Sequence, residues 1–239
     1  MNPLVIPIIF VAMFIQSLAG FGSALIAMPL LLLILPPDVA RPLFVLVGQT
    51  AGLMFMFEYR KEWQFTDIRW LLLGSLIAVP IGTWVANAMT EDMFMLVLGI
   101  ILIGYASYAL SGVHLPELKG LWGSFFGFCS GVLHSAYNVG GPPLVMYNST
   151  QDWEARRFKG NTQAIFFVMG FFVIYEHIRA GNMSLPVFQN YLLMTPTMLI
   201  ALLLGFRLEK YIKQAIFRKM VLVLLMIIGL NLLRGVIFG

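Results

Sequence analysis

Two glycine-containing breaks interrupt long apolar runs at corresponding places in the two halves of the chain. The first is Gly20-Phe21-Gly22-Ser23 and the second is Val139-Gly140-Gly141-Pro142. A break at membrane depth frees backbone N–H groups, and lipid offers no acceptor for them. Helix N-termini carry partial positive charge and unpaired donors, which suits an anion. The breaks therefore predict an anion site shared by both halves, with close helix packing through small residues as the alternative.

Polar side chains beside the breaks, and in the segments that follow them, could complete this site. Gln49 and Gln163 each lie within a later apolar segment, where an amide can donate to ligand oxygens. The two are predicted to be equivalent residues of the two halves, with interhelical hydrogen bonding as their alternative role. The candidate substrate-binding residues are Gly20, Gly22, Ser23, Gln49, Tyr137, Asn138, Gly140, Gly141 and Gln163.

His134 is the only ionisable side chain in the apolar run of residues 120–151, apart from tyrosine and cysteine. Ionisable groups inside a membrane are candidates for function, and imidazole titrates near neutral pH. The residue is therefore a candidate for proton coupling, and a neutral histidine bonded to a backbone carbonyl is the alternative.

No Arg or Lys falls in any predicted membrane core. An anion would then be held by backbone N–H groups and neutral side chains, which favours weak, releasable binding.

The composition is that of a membrane protein. Hydrophobic residues make up 60% of the 239 and charged residues 11%, whereas a soluble domain carries about 25% charged residues. Cys129 is the only cysteine, so an intrachain disulfide and a cysteine-rich metal site are excluded, and no cofactor or metal is expected. The net charge of +4 is interpreted as cytoplasmic loop charge rather than as a nucleic-acid-binding surface.

The elements that must position the site follow from the length of the apolar runs. Residues 4–35 form one apolar stretch without a charged residue, and it contains a few Pro, Gly and polar residues. As one helix they would span about 48 Å, against a hydrocarbon core of about 30 Å. Two half-helices that meet at the glycines and return to the starting side resolve this mismatch. Residues 120–151 repeat the arrangement, and three apolar segments follow each hairpin.

The predicted fold is an all-α polytopic membrane protein with two repeats, residues 1–113 and 114–239. Each repeat is a broken, re-entrant helical hairpin plus three transmembrane helices. Because three crossings are an odd number, the second repeat is inverted relative to the first. The alignment of the halves also pairs Gly82 with Gly205.

The basic residues favour this hairpin topology over a single crossing by each broken run. Under it, Arg41, Arg179 and Arg234 lie on one side of the membrane. Both termini then lie on the periplasmic side, by the preference of Lys and Arg for cytoplasmic loops. The basic residues assigned to the cytoplasmic side are Arg60, Lys61, Arg69, Lys119, Arg156, Arg157, Lys159, Arg207, Lys210, Lys213, Arg218 and Lys219.

No enzyme motif accompanies these features. The sequence lacks the zinc-protease, nucleophile-elbow and phosphate-loop patterns, and its acidic residues are confined to predicted loops. The chain is therefore not expected to be an enzyme, because an intramembrane nucleophile and base are missing.

The two break motifs resemble the sulfite exporter TauE/SafE family, also called the 4-toluene sulfonate uptake permeases. The matching residues are Gly20 to Pro29 in the first half, and Gly131 to Leu133 with Gly140-Gly141-Pro142-Pro143-Leu144-Val145 in the second. The resemblance covers essentially the whole chain. It implies a secondary transporter of the bacterial inner membrane that carries sulfite, a sulfonate or a sulfoacetate-like anion. It leaves open the substrate, the direction of transport and a homodimer.

The sequence thus favours an alternating-access anion transporter coupled to protons. An anion-conducting channel built from the same half-helices is one alternative. A membrane partner subunit that transports nothing is another, and in that case the two glutamines could be removed without loss of function.

Overall fold

A computed structural model describes the backbone of residues 3–113, 115–212 and 214–238, and their side chains except at positions 91, 214–218 and 238. Within these residues the fold is entirely helical, as predicted. The predicted boundary between the two repeats includes residue 114, which lies outside the described residues.

The first half begins with two short helices, α1 (Val5–Ala19) and α2 (Ser23–Leu32). Three longer ones follow, α3 (Pro37–Glu58), α4 (Phe65–Ala88) and α5 (Glu91–Ser111). The second half repeats this order with the short helices α6 (Leu121–Tyr137) and α7 (Gly141–Asn148). Its long helices are α8 (Ala155–Arg179), α9 (Leu185–Leu208) and α10 (Gln214–Phe238), with a 3₁₀ turn at Glu209–Tyr211 between the last two.

Five of the long helices, α3, α4, α5, α9 and α10, are long and apolar enough to cross a membrane. α8 is as long as any of them, but its first turns carry Arg156, Arg157 and Lys159, which lower its hydropathy. Large apolar side chains remain exposed along these helices, as in a protein surrounded by lipid. The expected polytopic membrane fold is confirmed.

Each break begins with one residue in the left-handed region. Gly20 ends α1 with φ 81° and Asn138 ends α6 with φ 58°. Gly and Asn are the residues that adopt this cap most readily. The Gly20 N–H donates to Gln16 O at 2.7 Å, and the Asn138 N–H donates to His134 O at 2.8 Å. The two breaks therefore begin alike, although the first contains a second left-handed residue, Gly22 with φ 101°, and Gly140 in the second has φ −74°.

The second broken run is a hairpin. The Leu118 N–H, before α6, donates to Thr150 Oγ1 after α7 at 3.3 Å, and Gln151 Nε2 donates back to Leu118 O at 2.8 Å. The residues that enter and leave this run are therefore neighbours. The side chain of Tyr147 in α7 also lies against Gly123 of α6, near the entry to the hairpin.

Equivalent helix pairs pack through equivalent glycines. Ser135 and Val132 of α6 occupy the space that a side chain on Gly82 of α4 would need. Ser17 and Phe14 of α1 do the same at Gly205 of α9. Both contacts bring a long helix against the first half-helix of the other repeat, and they fit the alignment of Gly82 with Gly205.

The packing of α3 on α8 corrects the pairing of the two glutamines. Phe167 packs over Gly52, and Gln49 packs over Gly170. These contacts are equivalent only if Gln49 corresponds to Phe167 and Gly52 to Gly170. Gln163 then corresponds to Val45, one helical turn from Gln49. The sequence pairing was wrong because two isolated amides in apolar helices do not fix a register to within one turn.

Candidate functional site

A cavity of about 60 Å³ lies where the two breaks meet. Its wall is formed by the first break with the start of α2, by residues 44–49 of α3, by the second break, and by one face of α8. A water-sized group needs about 10–15 Å³ of such space, so the cavity has room for about four. That is the size of a small ion with a few heavy atoms.

Most of the candidate residues are brought together around this cavity. Those that line it are Gly22, Ser23, Gln49, His134, Asn138, Gly141 and Gln163. The two tips are in contact there, because the ring of Phe21 lies 3.5 Å from the position that a Cβ on Gly141 would occupy.

Three candidates lie outside the lining and shape the breaks instead. Gly20 O accepts a hydrogen bond from Gln163 Nε2 at 2.6 Å, and Gly140 O accepts one from Ser130 Oγ at 2.7 Å. The Tyr137 hydroxyl donates to Met89 Sδ at 3.0 Å. Its ring centroid lies 4.1 Å from that of Phe94, so Tyr137 faces α5 rather than the cavity.

The amide side chains of the lining are fixed by backbone carbonyls. Gln49 Nε2 donates to Phe167 O at 3.2 Å, and Asn138 Nδ2 donates to Arg41 O at 3.2 Å. Gln163 is held by its bond to the first break. Asn138 Nδ2 also donates to Met28 Sδ at 3.8 Å, so both of its N–H groups are engaged. Gln49 and Gln163 each keep a second N–H that is available to a ligand. These groups are neutral, oriented donors.

The two short helices that begin at the cavity differ in the donors they offer. The first few N–H groups of a helix have no partner within it. α2 begins with Ser23-Ala24-Leu25, each of which has an N–H. α7 begins with Gly141-Pro142-Pro143, where the prolines have none. The first break is therefore the richer in backbone donors.

His134 lines the cavity without a hydrogen bond on its buried Nδ1 among the described residues. Its ring stacks on Phe166 with centroids 5.3 Å apart and an interplanar angle of 23°. The sequence left open a bond from this imidazole to a backbone carbonyl. Nδ1 makes no such bond, so that nitrogen is available to a ligand or a proton.

Gln16 is a lining residue that was not among the candidates. It lies at the position in α1 that His134 has in α6, and its Oε1 accepts a hydrogen bond from Ser23 Oγ. The equal spacing of Gln16 and His134 from the two left-handed residues could have identified it.

Lys159 was assigned to a loop on the cytoplasmic side, whereas the structure places it within α8. Its side chain is buried, and Nζ donates to Leu18 O at 2.6 Å and to Glu209 Oε1 at 2.5 Å. Tyr59, just after α3, donates to Glu209 Oε2 at 3.3 Å. Burial and this adjacent carboxylate raise the pKa of Tyr59 above its usual range, so the hydroxyl stays protonated. The sequence did not predict this burial, because Lys159 lies only one turn after the start of α8, beside Arg156 and Arg157.

The comparisons with known proteins give one match. A family model described as sulfite exporter TauE/SafE matches residues 5–232, a range that contains both breaks and every lining residue of the cavity. No curated protein and no solved structure matches the chain. Since the match spans nearly the whole chain, and the helical hairpins and their cavity lie within it, the chain belongs to the TauE/SafE family of sulfite exporters, which are membrane transporters.

Proposed function

We propose that this protein is a secondary-active transporter that carries a small sulfur-containing anion through the cavity between the breaks. Sulfite, a sulfonate and a sulfoacetate-like ion are the substrates considered, and transport is coupled to protons by alternating access. The observation that carries the proposal is that both broken helices end at one small cavity lined by neutral donors. Binding of this kind is releasable, which transport requires.

The anion is placed at the first break. Ser23 and the two residues after it supply backbone N–H groups at the positive end of α2. Gln49 and Gln163 face the same space with one amide N–H each to spare. Three oxygens of a sulfur oxyanion match such a set of converging donors.

The proton is assigned to the second break. His134 stands where the first half has Gln16, so only one of the two equivalent positions can titrate. Moving an anion together with a proton carries less net charge through hydrocarbon than moving the anion alone. An imidazole a few ångströms from the anion is suited to this coupling.

Alternating access requires two halves that can exchange roles across the membrane. α3 and α8 are equivalent helices and run antiparallel, since Gln49 meets Gly170 where Gly52 meets Phe167. α5 and α10 are also antiparallel, because Gly99 lies against Leu233 where Ile103 lies against Gly229. Antiparallel pairs of equivalent helices support inverted repeats over residues 1–113 and 114–239.

We place the protein in the bacterial inner membrane with both termini periplasmic.

Uptake of radiolabelled sulfite into proteoliposomes, with sulfonates and carboxylates as competitors, tests the proposal. We expect saturable uptake that an imposed pH gradient accelerates. Uptake that never saturates would indicate a channel, and no uptake of any sulfur oxyanion would indicate a partner subunit.

Removal of the two amides tests the site within the same assay. The double variant Gln49→Ala, Gln163→Ala should raise KM by at least about tenfold, since a hydrogen bond to a charged group contributes about 1.5–3 kcal/mol. Gln151→Ala is the matched control, because this amide bonds Leu118 O in a loop and is remote from the cavity. An unchanged KM in the double variant would exclude the glutamines from the site.

A further inference from the structure

Two cations lie just beyond opposite ends of the cavity. On α8 the lining residues include Gln163 and Phe166, and Lys159 is one turn before them. On α3 the lining begins at Phe44, and Arg41 is about one turn before it. Since the two helices are antiparallel, their cations flank the cavity from opposite sides. The register that pairs Gly52 with Gly170 also pairs Arg41 with Lys159.

Lys159 closes its end of the cavity by joining several elements. Its Nζ bonds the Leu18 carbonyl at the end of α1 and the Glu209 carboxylate after α9. Its aliphatic stem lies against Gly20, where Cγ is 2.7 Å from the position of a Cβ. Glu209 in turn accepts from the Tyr59 hydroxyl at the end of α3. The Lys159 side chain is 7% exposed and that of Glu209 is 26% exposed, so the lysine end of the ion pair is shielded from solvent.

Arg41 is differently engaged at the other end. Its Nε donates to Pro37 O at 3.3 Å, and its guanidinium lies 5.6 Å from the centroid of the Phe94 ring. Asp38 is the nearby acid, but no carboxylate among the described side chains forms an ion pair with Arg41. In this conformation Lys159 is paired with a carboxylate, whereas Arg41 is not paired with any described carboxylate.

We propose that the Lys159–Glu209 pair is a gate that closes one end of the cavity, and that Arg41 is the equivalent cation at the opposite end, where no described carboxylate pairs with it. The inference rests on the proposed function in that it takes the cavity as the route of the anion. An anion that enters past Arg41 meets a closed end at Lys159. Separation of Lys159 from Glu209 opens that end and presents a free ammonium to the departing anion. While the gate is closed, Lys159 does not line the cavity and acts as a positioning residue, through its contacts with Leu18 and Gly20 at the first break.

Thiol accessibility tests the gate without any substrate. The reporter is Val45→Cys, which lines the cavity, in a Cys129→Ala background. A membrane-impermeant maleimide is applied to right-side-out and inverted vesicles in separate reactions. Glu209→Gln should raise the labelling rate about tenfold from the face that carries Glu209 and leave the rate from the other face unchanged. The charge-exchanged double variant Lys159→Glu, Glu209→Lys should return the rate toward that of the parent.

The matched control is Glu62→Gln, which breaks the exposed Arg156–Glu62 pair on the same face. It should leave labelling unchanged. The gate is refuted if Glu209→Gln does not change the rate, or if the rate rises equally from both faces, as general loosening would cause.

A neutral variant keeps the test decisive if the single change prevents folding. Lys159→Met, Glu209→Gln leaves no unpaired ammonium at this site, and it should raise labelling from the Glu209 face alone. The same two results would refute the gate here. Because labelling needs no sulfur anion, a protein that is gated but moves no sulfite would overturn the proposed function and not the gate.

Discussion

His134 and Gln16 occupy the same place in the two halves, one turn before the left-handed residue that ends each first half-helix. The glutamine accepts a hydrogen bond from Ser23, whereas Nδ1 of the histidine bonds no described residue. The Gln16 side chain is thus held by a hydrogen bond, whereas Nδ1 of His134 has no hydrogen-bond partner among the described residues. Under the proposed function, this difference assigns the anion to the first break and the proton to the second.

At the residue scale, we expect His134→Gln to separate proton coupling from anion binding. Sulfite affinity should fall by less than about tenfold, because one neutral hydrogen bond contributes about 0.5–1.5 kcal/mol. Uptake into proteoliposomes should no longer respond to an imposed pH gradient, since glutamine does not titrate.

The control for that experiment is His177→Gln. This second buried histidine bonds Asn182 through Nδ1 and does not line the cavity, so its removal should preserve the response to the gradient. Retention of the pH response in His134→Gln would assign the coupling to another group.

At the scale of elements, close backbone approaches determine how each hairpin sits in the fold. α4 lies against α6 along a line of glycines, and Leu71 O and Ser75 O occupy the space that side chains on Gly127 and Gly131 would need. α1 meets α9 in the same way at Gly205. Small residues let membrane helices approach closely, and van der Waals contact then stabilises the pair. The first helix of each broken run is therefore packed closely against a long helix of the other half of the chain.

Gly82→Ala and Gly205→Ala should have similar effects because the two contacts are equivalent. Each adds a methyl group where Ser135 or Ser17 already lies, and such overpacking costs about 1–3 kcal/mol. Thermal unfolding of the detergent-solubilised protein should show a lower Tm, by about 2–4 °C for each kcal/mol.

Gly104→Ala is the control, since its helical position has open space around it. It should be neutral or slightly stabilising, by up to about 1 kcal/mol. A large loss of Tm in only one of the two paired variants would contradict the equivalence of the contacts.

At the scale of the whole molecule, the ends of the helices lie on two opposite faces. α8 begins beside the end of α3, where Arg156 pairs with Glu62 and Arg157 with Asp67. The Lys159–Glu209 pair joins the same face. Arg156, Arg157 and Lys159 thus lie on one face, as expected if this face carries the cytoplasmic loops.

Cysteine scanning should show both faces directly. In a Cys129→Ala background, we expect Lys119→Cys and Asp152→Cys to react with an impermeant maleimide from the same side, since the second run is a hairpin. Ala180→Cys, after α8, should react from the other side. All three positions are exposed, so slow labelling would not reflect burial. Reaction of residues 119 and 152 from opposite sides would rule out the hairpin.

The sequence alone determined the class of fold, and it predicted most of the polar residues that line the cavity between the breaks. Apolar runs too long for one crossing, each broken by glycines, required paired half-helices because a membrane has a fixed thickness. The breaks themselves were found at Gly20 and Asn138, and seven of the ten candidate residues line one cavity. Local conformation and hydropathy depend on residues that are close together in the chain, so these features could be predicted.

Only the tertiary structure decided which helices face each other and in what register. It paired Gln49 with Phe167 rather than with Gln163, and it showed that Tyr137 faces α5. It also buried Lys159 against Leu18 and Glu209, which are far apart in the chain. Register and ion pairing depend on contacts between distant segments. A charge one turn inside a helix looks the same in sequence whether water solvates it or a carboxylate from a distant segment of the chain pairs with it.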